Sequence, residues 1–245
     1  MTEALGLLRF RWWALVTRAR LRRLGSRLVL DAAGPPRMRG ALHVEMGARP
    51  GTLTLRLGRG VTIGRDCVID LADGEDATVE LGDETLLQSR VRLQPWGGAV
   101  RVGASCQLRD GCELKSKGEL RIGERVVCGR NATLHCHAAI TLGDCVGLGP
   151  SVSITDSDHA SDGSDRWFLD QPVLAEPVVL ERNVLCATNV AVLRGTRILR
   201  NAVVAAGAVV AGGEHPEGWL IGGVPAKPIK RLSHAERDDP SLPLR

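Results

Sequence analysis

With 245 residues, the chain is long enough to bury a sizeable core in one or two domains. It has no Tyr, only 3% aromatic residues, and 29 Gly beside 44% apolar residues that are mostly Val, Leu, Ile and Ala. That mixture favours short strands and tight corners over large helices, and a net charge of only +4 excludes a nucleic-acid binder by overall charge. The charge is uneven, however. Nine Arg against Glu3 and Asp31 give residues 1–40 a balance of +7, which leaves −3 for the rest. Seven Cys occur without CxxC or paired zinc-type spacing, and Cys67, Cys106 and Cys112 occupy positions suited to small residues. They read as reduced core thiols. Glu3, Arg9 and Arg11 spoil the order of a signal peptide, and the longest apolar run, Ala202 to Ala211, is too short to cross a bilayer. A cytoplasmic protein is the expectation.

Residues 1–40 read as a basic helical arm. Leu5, Leu8, Trp12, Leu15, Val16 and Ala19 recur at helical spacing between arginines, and Gly34-Pro35-Pro36 ends the segment. Such an arm can make peripheral contact with an anionic membrane through residues 1–30, at its inner face for a cytoplasmic protein. It can equally pack its stripe on the main domain or a neighbouring subunit. Burial is the commoner fate of such stripes, so packing is the expectation.

Residues 41–232 read as one domain, with 233–245 as a C-terminal tail. An apolar-x-apolar-Gly unit recurs at Leu55-Arg56-Leu57-Gly58, Val79-Glu80-Leu81-Gly82, Val100-Arg101-Val102-Gly103, Leu120-Arg121-Ile122-Gly123 and Ile140-Thr141-Leu142-Gly143. Within the units the period is six: Ile122, Cys128, Leu134; Leu142, Leu148, Ile154; then Leu180, Cys186, Val192, Ile198, Val204 and Val210. A period of six fits neither strand alternation nor a helix. It places one inward residue on each short flat face, and three faces close a triangular coil stacked at about the 4.8 Å strand spacing. The predicted fold is all-β, a left-handed parallel β-helix of hexapeptide repeats, with an N-terminal helical arm and a short C-terminal extension.

One interval breaks the rhythm. Ile122 to Leu142 is 20 residues but Leu142 to Leu180 is 38, an excess of 18 that falls after Ser153-Ile154-Thr155-Asp156-Ser157-Asp158-His159. The expected insertion is a loop over residues 160–177, whose Trp167 and Phe168 point to a packed lid or a subunit contact. A histidine beside carboxylates suits general-base chemistry, with His159 as the base and Asp156, or alternatively Asp158, fixing its tautomer. A polar turn ending in a solvated His159 is the plain alternative. Stacking at the coil length sets Thr155 and Ser157 over His135 and His137, then Lys115 and Lys117, then Gln94 and Trp96. That ladder can hold an anionic or extended glycan, or it is an ordinary solvated face.

The hexapeptide period, the Asp-Ser-Asp-His ending, the loop and the string Trp219-Leu220-Ile221-Gly222-Gly223-Val224-Pro225-Ala226-Lys227-Pro228-Ile229 together resemble the hexapeptide-repeat acyltransferases. The branch they resemble is that of maltose, galactoside and polysaccharide-modifying O-acetyltransferases, over residues 52–232. The resemblance implies a homotrimer binding acetyl-CoA between subunits, with no metal, and transfer of an acetyl group to a sugar or glycan hydroxyl. It implies His159 as catalytic base and Asn131 as an acceptor contact, although Asn131 equally suits a corner. Trp96, His135, His137 and Trp167 join Asn131 as acceptor-binding candidates. Ala187, Thr188, Ala205, Ala206 and Gly207 match coils lining the pantetheine groove, and Lys227 matches a position near the CoA phosphates. The chain departs from the family where Leu180-Glu181, Cys186-Ala187 and Ile198-Leu199 replace Ile-Gly pairs. Two alternatives stand beside this reading. One is a γ-carbonic-anhydrase-like zinc hydratase, for which no second His follows His159 at the required spacing; the other is a non-catalytic scaffold.

Overall fold

A computed structural model describes residues 2–47, 49–71 and 75–232. The expected tail, 233–245, lies outside the described residues. The architecture is a parallel β-solenoid of about nine turns with one N-terminal helix, consistent with left-handed winding. Its first face is a nine-stranded sheet running from Arg27–Ala32 to Gly213–His215. The second has ten strands, from Arg37–Met38 to a closing antiparallel hairpin of Trp219–Gly223 and Ala226–Arg231. The third has eight, from Leu42–Met46 to Val209–Val210.

The hexapeptide residues form the core. Ile122, Cys128, Leu134, Leu142, Leu148, Ile154, Leu180, Cys186, Val192, Ile198, Val204 and Val210 are all buried, as are Val184, Val190, Thr196, Ala202 and Ala208 four positions on. Each strand between the ends bonds to the coils above and below, so most backbone polar groups are satisfied while the aliphatic column stays continuous. Corners turn through left-handed backbone at residues such as Gly111, Asn131, Asn189 and Asn201, residue types that tolerate it.

The cysteines match their sequence reading. All seven are free and six are buried, Cys145 being half-buried. Burial pushes the thiols of Cys112 and Cys136 up to about 11 and that of Cys186 up to about 12. An aromatic disulfide reagent at neutral pH is therefore expected to titrate at most one thiol, Cys145, in the native protein and all seven after denaturation. A second fast-reacting thiol in the native protein would contradict the closed core.

The N-terminal segment differs from expectation in two ways. The helix spans Thr2–Arg23 and stops at Gly25, whose φ is +72°; Arg27–Ala32 is already the first strand of the solenoid, paired with Thr52–Leu57. The arm is thus shorter than residues 1–40. The stripe that packs is also a different one. Phe10, Ala14, Thr17 and Leu21 are buried, with Trp13 partly covered, whereas Leu8, Trp12, Leu15 and Val16 are exposed. The helix carries apolar residues on two opposite faces, and hydrophobic spacing does not rank them. Hydrogen bonding does. The Trp13 indole N–H donates to the Leu42 carbonyl at 2.7 Å, and the Arg20 guanidinium donates to the Val44 carbonyl. Both carbonyls belong to the edge strand of the third face. The helix therefore caps the open end of the solenoid, where the first coil has no predecessor to cover it.

Candidate active site

The long interval is a β-hairpin rather than a loop beginning after the histidine. Leu142 pairs directly with Leu180, and Ile154 with Val192, so the solenoid closes beneath the insertion without a gap. The chain leaves the third face after Thr155, which still pairs with His135 as the ladder requires. Ser157–His159 then pairs antiparallel with Val173–Ala175, His159 opposite Val173. Ser157 consequently stands over Ala175 and not over His137, which corrects the upper rung of the ladder.

The physical cause is Asp156. Its side chain is fully buried, and its carboxylate accepts three backbone N–H groups of the preceding coil: His137 at 2.6 Å, Ala138 at 2.8 Å and Ala139 at 2.8 Å. Its carbonyl accepts the Glu176 N–H at 2.8 Å, so both legs of the hairpin start from this residue. A carboxylate engaged in this way does not orient the His159 imidazole, contrary to expectation. Asp158 does not do so either. Both of its oxygens accept from Arg194 Nε at 3.0 Å, and a terminal nitrogen of Arg194 binds Glu176. Arg194 sits one coil on, in the position stacked on Asp156 by the Ile154–Val192 register, and clamps the two legs together. Arg194 is not among the residues expected at the site, although the 38-residue spacing alone stacks it on Asp156.

His159 is exposed at the lip of the hairpin. Its ring meets Phe168 edge-on, with centroids 5.4 Å apart and planes at 87°, and Phe168 in turn meets Trp167 at 6.0 Å. Trp167 is itself exposed. Inside the loop, the Gln171 amide accepts the Asp162 N–H at 3.0 Å and donates to the Arg166 carbonyl at 3.2 Å, which holds this aromatic pair in place. Packing against Phe168, a residue not among the site candidates, thus replaces the anticipated carboxylate as the support of the imidazole.

The ladder occupies the same corner as the hairpin. Gln94, Lys115 and His135 pair in register on successive coils, and Trp96, Lys117 and His137 follow them at the corner. Lys115 Nζ lies 3.9 Å from the Trp96 ring centroid, so one face of that ring is covered by an ammonium group rather than open to a sugar. Desolvation, then the neighbouring charge of Lys117, lowers the Lys115 pKa. Desolvation and the Lys115 charge likewise lower that of His135, which favours its neutral form. Gln94 Oε1 and Trp96 Nε1 are buried without a partner among the described residues.

The six cofactor candidates converge elsewhere. Ala187, Thr188, Ala205, Ala206 and Gly207 lie at the corner between the second and third faces, where Cys186 pairs with Val204 and Gly207 N–H donates to the Thr188 carbonyl at 3.0 Å. Lys227 pairs with Gly222, where an added Cβ would come within 3.0 Å of the Ala205 side chain. At Gly149, directly below, a Cβ would stand 2.8 Å from the Ala187 backbone. Small residues therefore let the coils close up along this column. Thr188 and Ala206 are exposed, and among the described residues neither N–H is taken up by another coil. Asn131 belongs to this corner, exposed at φ +56°, and not to that of His159. Within one chain the two corners flank the third face at opposite edges. No three His, Cys, Asp or Glu side chains among the described residues are arranged to hold a metal ion.

No family model matches the chain, and no curated protein does. Solved structures do. An N-acyltransferase from Bacillus cereus, AntD, determined as a point mutant in complex with dTDP and coenzyme A, aligns at 17% identity and a TM-score of 0.56. The alignment covers 63% of this chain and 84% of that one. A maltose O-acetyltransferase from Clostridium difficile 630 aligns at 21% identity and 0.42, covering 62% and 69%. A galactoside acetyltransferase in complex with coenzyme A aligns at 22% and 0.42, covering 47% and 55%. The chain shares the parallel β-solenoid fold of the hexapeptide-repeat acyltransferases.

Proposed function

We propose that the protein is an acetyl-CoA-dependent O-acyltransferase acting on a sugar or glycan hydroxyl. The observation that carries this reading is the hairpin. One coil exceeds its predecessor by 18 residues, and that insertion holds His159 outward on a hairpin anchored by buried Asp156 and clamped by Arg194. In the proposed reaction the His159 imidazole takes the proton of the acceptor hydroxyl as its oxygen attacks the thioester carbonyl. The carbon–sulfur bond then breaks, and the imidazolium returns the proton to the departing thiolate, leaving the acetyl ester and free CoA.

The corner of Ala187, Thr188, Ala205, Ala206 and Gly207 fits the donor. Unpaired N–H groups beside small side chains suit the amides of a pantetheine arm, and Lys227 is available to its phosphates. For the acceptor, Lys115 and Lys117 supply positive charge beside His135, whose neutral form is favoured, a combination suited to a sugar bearing a carboxylate or phosphate. The test is thiol release from acetyl-CoA with a panel of neutral, amino and acidic sugars. Turnover with an acidic sugar bearing free hydroxyls is the expected result. No release with any acceptor, together with no binding of CoA, would overturn the assignment.

The separation of the two corners supports a site completed by a neighbouring subunit, with the hairpin of one chain facing the small-residue corner of the next. The resemblance to the hexapeptide-repeat acyltransferases implies that this neighbour belongs to a homotrimer, which is the species expected in light scattering. An active monomer would contradict the shared site.

A further inference from the structure

We propose that the outward face of the N-terminal helix is a docking surface for an anionic phospholipid membrane. The helix presents its inner face to the end of the solenoid through Phe10, Trp13, Ala14, Thr17 and Leu21. At 100° per residue the opposite face carries Leu8, Trp12, Leu15 and Ala19, and the three large side chains are 64%, 68% and 62% exposed. Three apolar side chains this open on one turn-spaced line, in a helix already anchored on its other side, form an unpartnered stripe and not scattered exposure.

Charge selects the occupant. Arg11, Arg18 and Arg22 project along one flank of the stripe, with Arg9 and Arg23 on the other, and all five are exposed. Among the described residues none of these five guanidinium groups forms an ion pair. Arg18 and Arg22, with Arg27 of the first strand, also line a cleft beside the helix. An apolar line between two rows of uncompensated guanidinium groups is complementary to a lipid surface. The leucines and Trp12 enter the headgroup boundary, and the arginines meet phosphates on either side. Against protein, the same rows would need several buried carboxylates to match them.

The surface lies on the face of the helix turned away from the solenoid, so docking there leaves the hairpin and both corners uncovered. It would hold the enzyme against a membrane-borne acceptor, but the proposal does not depend on the acetyltransfer reading.

The test is co-sedimentation of the full chain with vesicles of phosphatidylcholine alone and of phosphatidylcholine mixed with phosphatidylglycerol, at low and high salt. Two triple variants accompany the wild type: Leu8→Gln/Trp12→Gln/Leu15→Gln and Arg11→Gln/Arg18→Gln/Arg22→Gln. The wild type is expected to sediment only with the anionic vesicles and to be released by salt. The arginine variant should bind roughly a hundredfold more weakly, each charge near such a surface contributing about a fivefold factor. The glutamine stripe should abolish sedimentation with melting temperature and oligomeric state unchanged. Failure of the wild type to sediment, equal binding to neutral vesicles, or dissociation of the oligomer by the stripe variant would each overturn the proposal; the last would make the stripe a subunit contact.

Discussion

Replacing His159 by alanine is expected to lower kcat by at least about a hundredfold, the range for loss of a general base, while leaving the melting temperature where it was. The two halves of that outcome have separate causes. The imidazole is exposed at the hairpin lip and packs edge-on against Phe168, so its removal leaves no buried polar group without a partner. The acceptor hydroxyl, by contrast, loses the group that takes its proton. Steady-state kinetics with the best acceptor from the sugar panel, paired with a thermal melt, reads both effects. Full turnover in His159→Ala would remove the base from the mechanism, and a large fall in melting temperature would make the histidine structural.

Asp156→Ala should behave in the opposite way, with stability lost first. Three backbone N–H groups, of His137, Ala138 and Ala139, end on this one buried carboxylate, and alanine leaves all three without an acceptor. At about 1–3 kcal/mol for each buried group left unsatisfied, the cost is at least about 3 kcal/mol. For a chain of this length that corresponds to a melting temperature lower by roughly 10 °C. Asp156→Asn should recover only part of the loss, because one acceptor oxygen cannot serve three donors and its amide group faces another N–H. Activity should fall with hairpin order, and thermal melts of both variants decide the matter. A melting temperature within error of wild type for Asp156→Ala would mean that water replaces the carboxylate and that the hairpin stands without it.

The solenoid was legible from residue spacing because its determinants are periodic and local. A buried residue returns every six positions, with a second four further on, and the residues from Ile122 to Val210 read from that period are all in the core. The surplus of 18 residues over the preceding coil marked the insertion by counting alone, since the inward residues of successive coils must stack in register. The Lys115–His135–Thr155 rungs followed from the same count. What spacing left undetermined was the direction of polar side chains. Asp156 and Asp158 both lie within reach of His159 in sequence, yet one is drawn inward by three N–H groups exposed where the coil opens, and the other is held by an arginine 36 residues away. The same limit applied to the first helix. Its two apolar faces are equivalent in a helical projection, and only the unpaired carbonyls of Leu42 and Val44 at the solenoid's open end chose between them. Periodic burial is written along the chain, whereas the partner of a single polar group is fixed only when distant coils are brought together.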